Sequence, residues 1–120
     1  MTQVQHHVDI DMQQCISNCL DCHAVCVTTI SHCLQMGGKH AEPEHIGILQ
    51  DCAQICATSA DFMLRGSQFH QRTCGVCAVI CVVCADDCEQ VDANDAQMRA
   101  CVEACRRCAD SCRQMASMVE

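Results

Sequence analysis

The chain has 120 residues, room for one domain rather than two, and a formal net charge of −8. That acidity favours solubility and argues against nucleic acid as a partner. Half of the residues are apolar, yet Trp and Tyr are absent and only two Phe occur. Any core must therefore rest on small side chains: 16 Cys, 7 Met and many Ala and Val.

The first fifteen residues, MTQVQHHVDIDMQQC, contain neither a basic n-region nor an apolar run. They form no recognisable secretory signal, so the expected compartment is the reducing cytosol, where thiols stay free. A first helix is predicted over about 9–36, ending at Gly37-Gly38. Pro43, the only proline, suits the first turn of a second helix over about 43–65. Gly66 ends it, and Ser67 is expected to cap a third over about 68–90. The uncharged stretch Cys74 to Ala85 lies in that helix and is too short to span a bilayer. Asn94 with Gln97 reads as a capping box for a fourth helix over about 95–119. Four helices with short connections favour an all-α, antiparallel up-down-up-down bundle, a single domain over 1–120.

Cysteine spacing shows what faces the inside. The first helix carries Cys15, Cys19, Cys22, Cys26 and Cys33, in steps of 4, 3, 4 and 7. The third carries Cys74, Cys77, Cys81, Cys84 and Cys88; the fourth carries Cys101, Cys105, Cys108 and Cys112. At about 100° per residue such steps confine every sulfur to a stripe roughly 60–80° wide. The second helix contributes Cys52 and Cys56, with His45, Ser59 and Met63 on the same stripe. On the fourth helix Arg99, Glu103, Arg106, Arg107, Asp110 and Arg113 flank and back the row, which turns its cysteines inward. The third helix is apolar all round, so Val79, Val82 and Val83 are expected to be buried in a homo-oligomer. A second apolar row on the first helix, Ile16, Leu20, Val27 and Leu34, either seals the bundle or joins that interface.

Cβ atoms at i and i+4 on a helix lie about 5–6 Å apart, beyond the roughly 3.8 Å of a disulfide. A linear thiolate–metal–thiolate unit spans about 4.6 Å, which small χ1 changes reach. Soft thiolates select Cu(I), Zn(II) or iron–sulfur clusters. Exchanging one thiol proton for one Cu(I) leaves the charge unchanged, whereas Zn(II) on four unshared thiolates leaves two negative charges to bury. Parallel rows also suit tetrahedral zinc poorly, and the spacing of iron–sulfur motifs is absent. Spacing and charge both favour multiple Cu(I) ions, about 8 on unshared pairs and about 16 or somewhat more on bridged ones. Zinc–thiolate binding and a purely structural cysteine packing are the alternatives. A thiol–disulfide enzyme would need one exposed thiol of low pKa; Cys74 comes nearest to that position but is one of many. No inward carboxylate pair suggests acid–base catalysis.

Antiparallel connectivity gathers Met63, His70 and Met115 at one end, near Met12, and His45 and Met98 at the other, near Cys33, Cys88 and Cys101. Met63, His70, Met98 and Met115 are accessory candidates as softer relay ligands, with gap-filling as the simpler role for methionine. His6, His7 and His40 are set aside as belonging to a terminus and a loop.

The CxxxCxxCxxxC repeats on several helices, with short loops and no signal peptide, resemble the cytosolic copper storage proteins. The resemblance covers nearly the whole chain. It implies a cysteine-lined four-helix bundle, usually a tetramer, that sequesters Cu(I) without catalysing a reaction. Carried over residue by residue, the implied ligands are the sixteen cysteines named above. The second helix, with two cysteines, matches the repeat least well.

Overall fold

A computed structural model describes the backbone of residues 2–118 and the side chains from residue 10 onward. It contains four α-helices: α1 (Thr2–Met36), α2 (Pro43–Leu64), α3 (His70–Asp92) and α4 (Ala96–Ser117). A short 3-10 helix, Gly38–Ala41, joins α1 to α2. Each helix packs on its neighbours in the chain, and α1 closes the square against α4. The bundle measures 54 × 21 × 19 Å.

The helix ends follow from local chemistry. Gly37 and Gly38 adopt positive φ values of 71° and 57°, which lets the chain turn from α1 into the 3-10 helix without a Cβ clash. Pro43 occupies the first turn of α2, where an amide donor is not needed. Ser67 does not cap α3 directly. Its Oγ accepts the Phe69 amide at 3.0 Å, and the helix begins at His70 with no side-chain cap. The cap of α4 is Asp95 rather than Asn94: Asp95 Oδ1 accepts the Met98 amide at 2.9 Å. Gln97 turns away from a capping box and donates instead to Thr29 Oγ1 on α1, at 3.0 Å. The expected end of α4 at Val119 and the side chains of His6 and His7 lie outside the described residues.

All sixteen cysteines are fully buried, and all are free thiols. They fill the axis of the bundle with Leu49, Met98 and Met115, while Ala53, Ala60, Ala78, Ala85, Ala104 and Ala109 let the helices approach closely. Diagonal helices α2 and α4 do not pack backbone to backbone; sulfur bridges the gap between them, as at Cys52–Cys105, 3.8 Å, and Cys56–Cys108, 3.8 Å. No described helix is long and apolar enough to cross a membrane.

Candidate metal centre

The sulfur lattice begins near the start of the cysteine row on α1, where Cys15 and Cys19 lie 3.6 and 3.5 Å from Cys112 of α4. Further along, Cys108 sits 3.7 Å from Cys19, 3.8 Å from Cys56 and 3.9 Å from Cys77, so one sulfur touches three other helices. Cys22 meets Cys105 at 3.6 Å and Cys52 at 3.9 Å, and Cys52 meets Cys81 at 3.7 Å. Cys26 and Cys88 then converge on Cys101 at 3.9 and 4.0 Å. Most of these separations run between helices. Among the CxxxC steps, sulfurs come within 4.0 Å only at Cys22–Cys26 and Cys77–Cys81.

Four-sulfur sets recur along the axis with all members within 4.8 Å of one another, among them Cys19, Cys77, Cys108 and Cys112, and Cys26, Cys84, Cys101 and Cys105. That spread is close to the roughly 4.6 Å span of a linear thiolate–metal–thiolate unit. It also bears on zinc. A tetrahedral site with bonds of about 2.3 Å has sulfur edges of about 3.8 Å, and the contacts of 3.5–4.0 Å match. Parallel rows on four helices therefore do converge tetrahedrally, contrary to the expectation from one helix at a time. The sets nevertheless share members: Cys22 and Cys52 belong to at least two, as do Cys56, Cys77 and Cys108. Overlap of this kind suits ions bridged by common thiolates, and the cost of burying doubly negative zinc centres is unchanged.

Protonation in the lattice is collective. Hydrogen bonding with Cys105 draws Cys22, Cys52 and Cys101 below an ordinary thiol, while Cys105 itself is pushed up, first by Cys101. Cys108 is drawn down to about 7, first by Cys112 and then by Cys19. Hydrogen bonds from neighbouring thiols thereby favour the thiolate at a sulfur that touches all three other helices. At the rim, burial pushes Cys33 up to about 11, and the nearby Asp95 carboxylate adds to it.

The accessory candidates fall into two groups. At the α2 N-terminal end, Cys33 Sγ lies 3.6 Å from Met98 Sδ and 3.4 Å from His45 Nε2. His45 is buried, and its Nδ1 lies 2.5 Å from Asp87 Oδ2. With Nδ1–H donated to that carboxylate, Nε2 presents a lone pair to Cys33, the orientation a metal-ligating histidine needs. At the opposite end Met63 and Met115 are buried in the core, and Met12 packs against it. His70 is only half-buried, and its Nδ1 lies 2.8 Å from the Ser67 carbonyl. Cys74 has Ser59 as its nearest polar partner, the hydroxyl donating to sulfur at 3.3 Å. His40, set aside in the sequence as a loop residue, is buried. Nothing in the pattern signals this, because a 3-10 turn has no readable period.

The geometry has counterparts of known structure. The copper storage protein family profile matches residues 8–117, and this chain belongs to that family. A Nitrosospira multiformis protein of known crystal structure is 47% identical, with a TM-score of 0.85, over 91% of this chain and 97% of its own. The Cu(I)-bound copper storage protein BsCsp3 is 34% identical, with a TM-score of 0.83, over 89% of this chain and 99% of its own. A cytosolic copper storage protein from Streptomyces lividans, in a form with five coppers, is 27% identical with a TM-score of 0.79, over 92% and 95%.

Proposed function

We propose that this chain is a cytosolic store that holds Cu(I) ions on its sixteen core cysteines and catalyses no reaction. The carrying observation is the chain of overlapping four-sulfur sets along one buried axis. Each Cu(I) displaces one thiol proton, so the core stays close to neutral while it fills. Cys33, His45 and Met98 form a mixed sulfur–imidazole rim at one end, and Met63, Met115 and His70 supply softer donors at the other. The copper-bound relatives and the cytosolic Streptomyces protein support the metal and the compartment.

The same reading makes the working form a homotetramer. Val79 is 64% exposed and Val76 and Val83 about half exposed, forming an apolar stripe on α3. Leu20, Val27 and Leu34 form a comparable stripe on α1, the helix diagonal to α3. Two apolar faces on opposite sides of one bundle are covered by two different isologous contacts, and that combination closes as a dihedral tetramer.

Anaerobic titration of the reduced protein with Cu(I), against a competing Cu(I) chelator, tests the store. Retention of about 8 or more ions per chain ahead of the chelator is expected. Retention of one or two, with zinc held in preference, would replace copper storage by zinc–thiolate binding.

A further inference from the structure

We infer that His32, His40, Asp92 and Asp95 form a second metal site, outside the thiolate core, for a divalent borderline cation of the Zn(II) type. The four residues come from three parts of the chain: the last turns of α1, the 3-10 helix Gly38–Ala41 and the turn between α3 and α4. His32 Nε2 lies 2.9 Å from Asp95 Oδ2, and His40 Nε2 lies 3.3 Å from Asp92 Oδ2 and 4.0 Å from Asp95 Oδ2. A tetrahedral ion with bonds of about 2.0–2.1 Å has ligand edges of about 3.3–3.4 Å. The observed separations bracket that edge.

Both aspartates are divided between two tasks. Asp95 Oδ1 accepts the Met98 amide and Asp92 Oδ1 accepts the Asn94 amide, at 2.9 and 3.1 Å. These bonds fix each carboxylate to the backbone of the α3–α4 turn and leave both Oδ2 atoms toward the histidines. The imidazoles meet nearly edge to face, 87° between planes with centroids 6.2 Å apart. His40 carries the independent sign of a missing ligand: it is 5% exposed, and its buried Nε2 makes no hydrogen bond among the described residues, because the 3.3 Å approach of Asp92 Oδ2 lacks hydrogen-bond direction. A buried imidazole nitrogen without a partner is costly, and a metal ion between it and the two carboxylates removes the cost. Two carboxylates and two neutral imidazoles also cancel the charge of a divalent cation. Nitrogen and hard oxygen donors suit Zn(II), whereas the thiolates select Cu(I), so the two sites differ in kind.

The test uses the full chain loaded with Cu(I), dialysed against Zn(II), with copper and zinc both measured. One zinc per chain beyond the copper is expected, with an X-ray absorption shell of nitrogen and oxygen at about 2.0–2.1 Å and no sulfur shell near 2.3 Å. Both H40A and Asp95→Asn should weaken zinc binding by about 100-fold or more with copper content unchanged. Asparagine at 95 keeps an Oδ1 acceptor for the Met98 amide, so that variant reads the lost ligand even where H40A misfolds. Absence of the extra zinc, a sulfur shell around it, or full retention in Asp95→Asn would each overturn the site. Failure of the chain to take up copper at all would count against the thiolate store instead, and zinc would then be measured on the metal-free chain by the same sulfur-shell criterion.

Discussion

Single sulfurs in this core are unequal. Cys108 reaches Cys19, Cys56 and Cys77, whereas Cys74 has only the Ser59 hydroxyl within hydrogen-bond reach. Cys108→Ser should therefore remove more copper per chain than Cys74→Ser, as read by chelator competition on the two variants; equal losses would mean that the sites do not share ligands. Protonation gives a second prediction. An ordinary thiol at 9.0 is raised to about 11 at Cys33 by burial, so between those values the unfolded chain loses this proton before the folded one does. Stability of the metal-free protein is then fully present below pH 9.0 and falls as pH rises towards about 11. Copper loading has already replaced the protons, so denaturation of the loaded protein should lack this alkaline slope. The cysteine stripes were legible in the sequence because a helical period imposes one phase on every burial decision in a helix. His40 was not, because its burial depends on α1, α2 and α3 closing around a 3-10 turn that has no period of its own.

Helices raise a different question: which of their limits are local. Asn94 and Gln97 fit a capping-box spacing, but Gln97 is taken by Thr29 of the neighbouring helix and the cap passes to Asp95. A spacing rule cannot see that competition, because the partner is a tertiary one. Asp95→Ala should cost at least about 1 kcal/mol, or about 4 °C in Tm for a domain of this size, while Asn94→Ala changes little. Thermal denaturation of the metal-free variants checks it, and the reverse order would restore Asn94 as the cap. The α4 row has a wider consequence. Its sulfurs take part in most of the four-sulfur sets, although they are four of sixteen cysteines. Replacing Cys101, Cys105, Cys108 and Cys112 together by serine should remove clearly more than a quarter of the copper. Helical circular dichroism of the metal-free variant separates this loss from unfolding, and an unchanged stoichiometry would rule out the shared-ligand store.

At the scale of the whole molecule the bundle is too thin to hide all of its apolar surface. A row of thiols uses the inward face of each helix, so Leu20, Val27 and Leu34 of α1 and Val76, Val79 and Val83 of α3 turn outward. Val79 on α3 and Val27 on α1 are 64% and 48% exposed, on helices that do not touch. If each stripe forms its own two-fold contact, each can be broken alone. Val79→Lys places a charge at the centre of the α3 contact and should leave a dimer held through α1. Val27→Lys should leave the other dimer, held through α3, and the double variant should be monomeric. Burying an unpaired lysine is costly enough to dissociate a contact built on a few aliphatic side chains, because the charge must lose its water without gaining a partner. Both positions lie on outward helix faces, whereas the cysteines are fully buried, so copper capacity per chain should be the same in all three variants. Light scattering coupled to size exclusion gives the mass, and the chelator titration gives the copper. A monomeric wild-type chain would leave both stripes unexplained, whereas a dimer abolished by one substitution and indifferent to the other would confine assembly to a single face.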